Sequence, residues 1–170
     1  MTSAVAYNTI FSQSWQNIYD LINNKSYVSD PTTPSAQFRK WVYTREPDVN
    51  SADFTGFPYI IVNSTLVDQG DEQTVDGKKA FVSFDCEVEV VTCDRAYNNV
   101  DGKGQTHNDS ISDDVWEVFN SKTHRDTLRV NGLSFSKPVA TGTVPEAFKD
   151  TMVYRRSFLL SFKQFMAVRT

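Results

Sequence analysis

The chain has 170 residues, 39% hydrophobic and 22% charged, with a net charge of −4, which suits one globular domain over residues 1–170 and excludes two domains of ordinary size. A domain of this length buries roughly 70% of the surface its unfolded chain exposes, so it needs neither a disulfide nor a structural metal, and Cys86 and Cys93 have little structural work to do. The acidic balance, with a pI near 5.1, excludes a protein whose main business is gripping phosphates, since that is built from many Lys and Arg contacts.

From about Thr9 to Asn23, the residues Ile10, Phe11, Trp15, Ile18, Tyr19 and Ile22 recur at three- and four-residue spacing and predict an amphipathic helix. Two prolines, Pro31 and Pro34, and many turn-formers then predict a loop near 24–36. Phe38 to Thr44 is aromatic and β-branched and reads as a first strand, and Phe57 to Ser64 as a second, with Pro58 near its start. A polar connection over 66–79, with a turn at Asp76-Gly77, leads to the clearest strand in the chain. In that third strand, Ala80 to Thr92, Val82, Phe84, Cys86, Val88 and Val90 fall on one face and Ser83, Asp85, Glu87 and Glu89 on the other.

Residues 94–108 are polar and read as a long loop. A second helix is predicted from Asp109 or Ser110 to about Lys122, with Asp113 and Asp114 in its first turn and Ile111, Val115, Val118 and Phe119 as its buried stripe. Thr127 to Val130, Asn131-Gly132 and Leu133 to Phe135 form a hairpin candidate with a type I′ turn. A loop over 137–150, with a helical turn at 145–148, precedes a last strand from Met152 to Phe165. The order implies an α+β domain: an antiparallel or mixed β-sheet with two helices packed on one face.

The sequence carries no catalytic, metal or cofactor signature. Asp101-Gly102-Lys103-Gly104 fits neither nucleotide-binding spacing. His107, with Asp109 or Asp101, and His124 lack a further ligand at metal spacing, and no serine or cysteine stands in a nucleophile elbow. Cys86 lies on the apolar face of its strand, while Cys93, at the strand end, is expected to be partly exposed. Phe38 to Tyr43 has the aromatic and basic interleaving of a base-stacking platform, but with the net acidity an interaction edge is the preferred reading. Apolar runs are far too short to cross a bilayer, and Met1-Thr2-Ser3-Ala4 lacks the order of a Sec leader, so no membrane association or export is expected.

The charge is unevenly distributed. From Lys137 onward six basic residues (Lys137, Lys149, Arg155, Arg156, Lys163 and Arg169) face two acidic ones (Glu146 and Asp150), a balance of +4 that leaves −8 for residues 1–136. Solvated strand faces, an acidic ligand, or copies stacked head to tail would each account for it.

The short N-terminal helix, the strand Phe57-Pro58-Tyr59-Ile60-Ile61-Val62, the alternating strand Phe81 to Val90, the helix Ile111 to Phe119 and the final strand Tyr154 to Phe162 together resemble the tail terminator, or tail completion, proteins of long-tailed bacteriophages. The resemblance covers residues 8–166 and lies in element order and strand character; the loops at 66–79 and 94–108 depart from compact members. It implies an α+β sandwich without catalytic residues or cofactors. Copies would form a homohexameric ring that caps the tail tube, ends its polymerisation and joins the tail to the head connector, in a virion assembled in the host cytoplasm. Its partners would be further copies of itself, the tail tube protein, the head-completion or connector protein, and genomic DNA passing through the lumen without sequence-specific binding. On that reading Arg155, Arg156 and Lys163 lie at an interface, and Glu87 and Glu89 face the channel. Other readings are a different head–tail connector or tube component, or a small-ligand or nucleic-acid binding module.

Overall fold

The computed structural model describes residues 10–32, 39–73, 79–95, 103–135 and 138–167. Its elements in chain order are α1 (Ile10–Ile22), β1 (Val42–Tyr43), β2 (Tyr59–Gln73), β3 (Lys79–Cys93), α2 (Gly104–Asn120), α3 (Lys122–Val130), β4 (Leu133–Phe135), β5 (Val139–Ala140), β6 (Val144–Phe148) and β7 (Thr151–Ala167). The strands form one mixed sheet in the order β1-β2-β3-β7-β4, with β5 and β6 also paired to β7. Among the described residues only the β1–β2 pair is parallel. The α+β class is as the sequence implies, with a third helix added.

The centre of the sheet is the ladder of β3 with β7, which runs unbroken from Lys79↔Ala167 to Cys93↔Val153. Period-two alternation turns Phe84, Cys86, Val88 and Val90 to the same side as Phe158, Leu160 and Phe162, where they meet Ile18, Leu21 and Ile22 of α1 and Ile111, Val115, Val118 and Phe119 of α2. Each such aliphatic or aromatic side chain, fully buried, contributes about 1.5–3 kcal/mol. Trp15 Nε1 donates to the Val62 carbonyl at 3.1 Å and Tyr19 Oη to that of Val42 at 3.3 Å, which fixes α1 over the β1–β2 edge. A second, smaller cluster of Tyr43, Tyr59, Ile61, Val91, Cys93 and Val153, with Phe54, Phe57 and Phe148 against it, covers one end of the reverse face.

Several elements differ from the sequence expectation. Trp41, Val42 and Tyr43 are buried, so their rings do not form a stacking platform, and β1 is the edge strand of the sheet; Phe38 lies outside the described residues. β2 continues to Gln73, with register shifts between Ser64 and Leu66 and between Gln69 and Gln73. Backbone pairing to β3 sustains the strand where the apolar pattern fades. The expected turn at Asp76-Gly77 lies outside the described residues.

Helix α2 starts at Gly104, five residues before the expected cap, so Asp113 and Asp114 sit in mid-helix. Asn108 is fully buried and donates to the carbonyls of Val90 and Tyr154, both at 3.1 Å, while Thr92 Oγ1 donates to the Gly104 carbonyl at 2.6 Å. Polar residues that read as a loop are thus the docking face of a helix start. Residues 122–130 are helix rather than hairpin strand, and Asn131-Gly132 ends that helix: Gly132 adopts φ 91° and its N–H bonds the Arg129 carbonyl. In place of the expected helical turn, 144–148 is a strand joined to β7 through Lys149-Asp150. Pro145 is tolerated there because β6 lies on the outer side of β7.

One buried ion pair ties the irregular segments together. Arg39 Nε lies 2.6 Å from Asp30 Oδ2, with side-chain exposures of 5% and 8%. The other guanidinium nitrogens donate to the carbonyls of Gly56 and Pro58. Burial opposes the charge on Asp30, but the hydrogen bond and charge of Arg39 and two donors from Thr32 outweigh it and hold the carboxyl below its usual range.

Replacing one partner would strand the other in a dry site, so Asp30→Asn is expected to cost about 3–5 kcal/mol in denaturant melts. Because the Asp30 pKa is lowered on folding, its stabilisation is present above the ordinary carboxylate range and lost as pH falls through the folded value. A Cβ on Gly104 would stand 2.5 Å from both Asp94 Oδ1 and the Tyr154 ring. Gly104→Ala is therefore expected to lower stability by about 1–3 kcal/mol in thermal melts.

Candidate functional site: the open face of the sheet

The face of β3 turned away from the helices carries Asp85, Glu87 and Glu89, all half-buried. Across the ladder they stand opposite Ser161, Leu159 and Ser157 of β7. Asp85 accepts from Ser161 Oγ at 2.7 Å. Glu87 and Glu89 thus lie on a half-exposed sheet face and not in the core, as their alternation with apolar neighbours requires.

At the covered end of this face stands Arg155. Its Nη2 lies 2.9 Å from Glu46 Oε1 and its Nη1 3.2 Å from Glu46 Oε2, a bidentate pair; Nη1 also lies 3.3 Å from Glu89 Oε2 and Nε 3.1 Å from Glu146 Oε2. Tyr59 Oη donates to Glu46 at 2.6 Å. One cation therefore serves three carboxylates drawn from a loop, β3 and β6.

The carboxylates respond in opposite directions. Burial would raise Glu46, but hydrogen bonds from Arg155 and Tyr59, together with the Arg155 charge, pull it below its ordinary value. Glu89 is raised: burial dominates, and its contact with Arg155 does not offset it, with Glu46 and Glu87 adding repulsion. Tyr59 is also raised, by burial and then by its bond to Glu46.

Arg156 projects to the opposite side of β7. Its Nη2 reaches Asp109 Oδ1 at 2.7 Å and Thr143 Oγ1 at 2.6 Å, at a hollow of about 310 Å³ that Trp116 and Phe158 also line. The two arginines expected at an interface thus lie on different faces, each tied to carboxylates of its own chain. Lys163 is exposed, on the open-face side of β7 opposite Ser83 and Ser134.

The remaining chemical candidates do not converge. His107 belongs to α2, with its pKa lowered by burial and then by Lys103. His124 belongs to α3, where Nδ1 contacts the Val118 carbonyl at 3.2 Å and the ring lies 4.1 Å from that of Tyr27. Asp109 is engaged by Arg156, and Asp101 lies outside the described residues. Among the described residues no three metal-ligating side chains cluster. Cys86 is a core residue whose thiol burial, with Glu87 adding, pushes up to about 12. Cys93 is buried rather than partly exposed, its Sγ 3.4 Å from Thr151 Oγ1. A cleft of about 450 Å³ opens beside Tyr19, Tyr43, Arg45, Glu46, Asp48 and Phe54, and its mixed charges present no recognisable ligand set.

Comparison with known proteins adds no relative: no protein-family model matches the chain, and no curated protein matches it. The chemistry of the open face therefore carries the functional reading. Sequence alternation was enough to find Glu87 and Glu89. Glu46 and Glu146 carried no signal, since each sits in an irregular or edge segment that meets Arg155 only after folding.

Glu46→Gln is expected to lower stability at neutral pH by about 1 kcal/mol, discounted for the exposure of its carboxylate. Glu89→Gln is expected to be neutral or slightly stabilising there. The signs follow from linkage: the Glu46 contribution is lost as pH falls through its lowered pKa, whereas Glu89 binds its proton more tightly when folded and loses its contribution as pH rises through the raised one. Urea melts on both sides of the carboxylate range would separate them, and a larger loss for Glu89→Gln than for Glu46→Gln at neutral pH contradicts the assignment.

Proposed function

We propose that this chain is a structural protein of a bacteriophage neck or tail. Copies form a ring, hexameric by resemblance to tail terminators, that caps the tail tube, ends its growth and joins the tail to the head connector. The observation that supports the reading is the open face of β3, where Asp85 and Glu87 lie half-exposed in one row that Glu89 continues as far as its ion pair with Arg155. A wall of that charge repels a phosphate backbone and lets a duplex pass without sticking. Rings built from one repeated contact need two different surfaces on each subunit, and the uneven charge along the chain is consistent with that requirement.

The proposed interface role of Arg155 and Arg156 finds less support than that of Lys163. Both guanidiniums are engaged within the chain, so reversing their charges would disturb the fold as well as any contact. A head–tail connector or a tube subunit would use the same acidic wall, and position along the particle separates these from a terminator.

Imaging of the purified protein should show closed rings with a central hole, and addition to polymerising tube protein should arrest tube growth. A ring that leaves tube length unchanged would point to a connector; a monomer with saturable, salt-sensitive DNA binding would overturn the reading. Replacing Asp85 and Glu87 together by lysine, with Glu89 left in place against Arg155, is expected to leave rings intact by mass but to make them retain duplex DNA in a filter-binding assay.

A further inference from the structure

Among the described residues β5 and β6 pair only with β7, so their outer edge carries no strand. Thr141 keeps the chain between them on β7: its N–H bonds the Ser157 carbonyl at 2.9 Å, and its Oγ1 accepts from the Ser157 N–H at 3.0 Å. An unpaired edge offers backbone N–H and C=O groups to an incoming strand, and proteins blunt it with charge, bulges or proline. Over 139–148 the one charged residue is Glu146, engaged by Arg155, and Pro145 falls in β6. The stretch 139–143 has neither device, and a Cβ on its Gly142 would meet no atom within 4 Å.

The two sides of that stretch differ. Register sets Val139 beside Leu159 on the open side of the sheet and Ala140 beside Phe158 on the helix side. Val139 is 61% exposed and Leu159 45%, an apolar pair that an added strand would cover. On the helix side, the hollow of about 310 Å³ is lined by Asp113 and Trp116 of α2, by Ala140 and Thr141 of the edge, and by Arg156 and Phe158 of β7. Trp116 is 39% exposed. An open edge with a helix beside it and a hollow between them suits strand addition, in which main-chain bonds hold the incoming segment and pockets select its alternate side chains.

Charge indicates which side chain the hollow selects. Helix α2 carries Asp109, Asp113, Asp114 and Glu117 and no lysine or arginine. Asp109 is taken by Arg156 and Asp114 by Ser29. Asp113 is exposed and forms no ion pair among the described residues. Because Asp109 balances Arg156, the hollow is left with an unbalanced carboxylate beside an indole. A long basic side chain satisfies both: its apolar stem lies against Phe158 and Trp116, and its cation meets Asp113 and the ring face.

We infer that the edge 139–143 accepts an extended segment of a partner protein as an added strand, with a lysine or arginine of that segment seated in the Trp116 hollow. The contact does not depend on the ring reading. It leaves Asp85 and Glu87 uncovered, since β7 and β5 stand between β3 and the added strand.

The test measures, by fluorescence anisotropy, the binding of short end-capped peptides of alternating valine and threonine with a central lysine to the full-length protein. Saturable binding is expected, weaker with norleucine in place of the lysine and weaker still with glutamate. N-methylation of the alternate amides along one edge of the peptide is expected to abolish binding, and along the other edge to spare it. Asp113→Lys is expected to weaken the lysine peptide about tenfold and to favour the glutamate peptide relative to wild type. Trp116→Ala is expected to cost about tenfold for either peptide. Circular dichroism melts establish that both variants fold, and the peptide series decides the matter on the unaltered protein should one of them not. Absence of saturable binding, equal binding of the lysine and glutamate peptides, or indifference to N-methylation along both edges overturns the inference. A wild type that self-associates and is dispersed by the lysine peptide identifies a second copy as the occupant and overturns the assignment of a separate partner.

Discussion

The unbroken pairing of β3 with β7 is the constraint on which the rest of the molecule depends. With a side-chain period of two, a slip of one residue along this ladder would send Phe84, Cys86, Val88 and Val90 to solvent and drive Asp85, Glu87 and Glu89 under the helices. The two outcomes differ by the burial of several large apolar side chains against the desolvation of three carboxylates, so only one register is compatible with a folded chain. Helix placement and the character of the open face follow from the same choice. Core and candidate site are therefore two readings of one alternation.

Arg155 shows how such a sheet accommodates charge where it becomes covered. At the bare end Asp85 and Glu87 are half-buried, and Asp85 accepts from Ser161. Toward Glu89 the loop that carries Glu46 and the edge strand that carries Glu146 close over the face, and a cation becomes necessary. The guanidinium has several donors in a fixed fork, which lets one side chain serve three partners where a lysine would offer a point charge. Its engagement also means that part of the basic excess of the C-terminal segment is neutralised inside the subunit.

The sequence disclosed those parts of the fold whose residues answer to one strong local rule. β3 was legible because alternation covers its length, and α1 because Trp15, Ile18, Tyr19 and Ile22 repeat at helical spacing. The first turns of α2 were hidden because Gly104 and Asn108 serve a close approach to β3 and β7, a demand that only tertiary structure imposes. The far half of β2 was hidden because ladder hydrogen bonds sustain it, and Asn131-Gly132 misled because that pair serves a helix end as readily as a hairpin. Of the candidate site, the carboxylate row could be read in advance. The cluster around Arg155 could not, since Glu46 is 109 residues away in the chain.

The segment between α1 and Pro31 has no regular structure, yet it is joined to three parts of the domain. Ser29 donates its N–H and its hydroxyl to Asp114 of α2, both at 3.0 Å, and Asp30 holds Arg39, which in turn holds the backbone that leads into β2. Releasing it would leave the Arg39 guanidinium without its buried carboxylate and break both Ser29 bonds to α2 at once, so no partial opening is cheap. The buried anchor of such a loop opens with the core rather than before it, while the exposed residues beside it, Lys25 to Tyr27, remain in contact with solvent throughout.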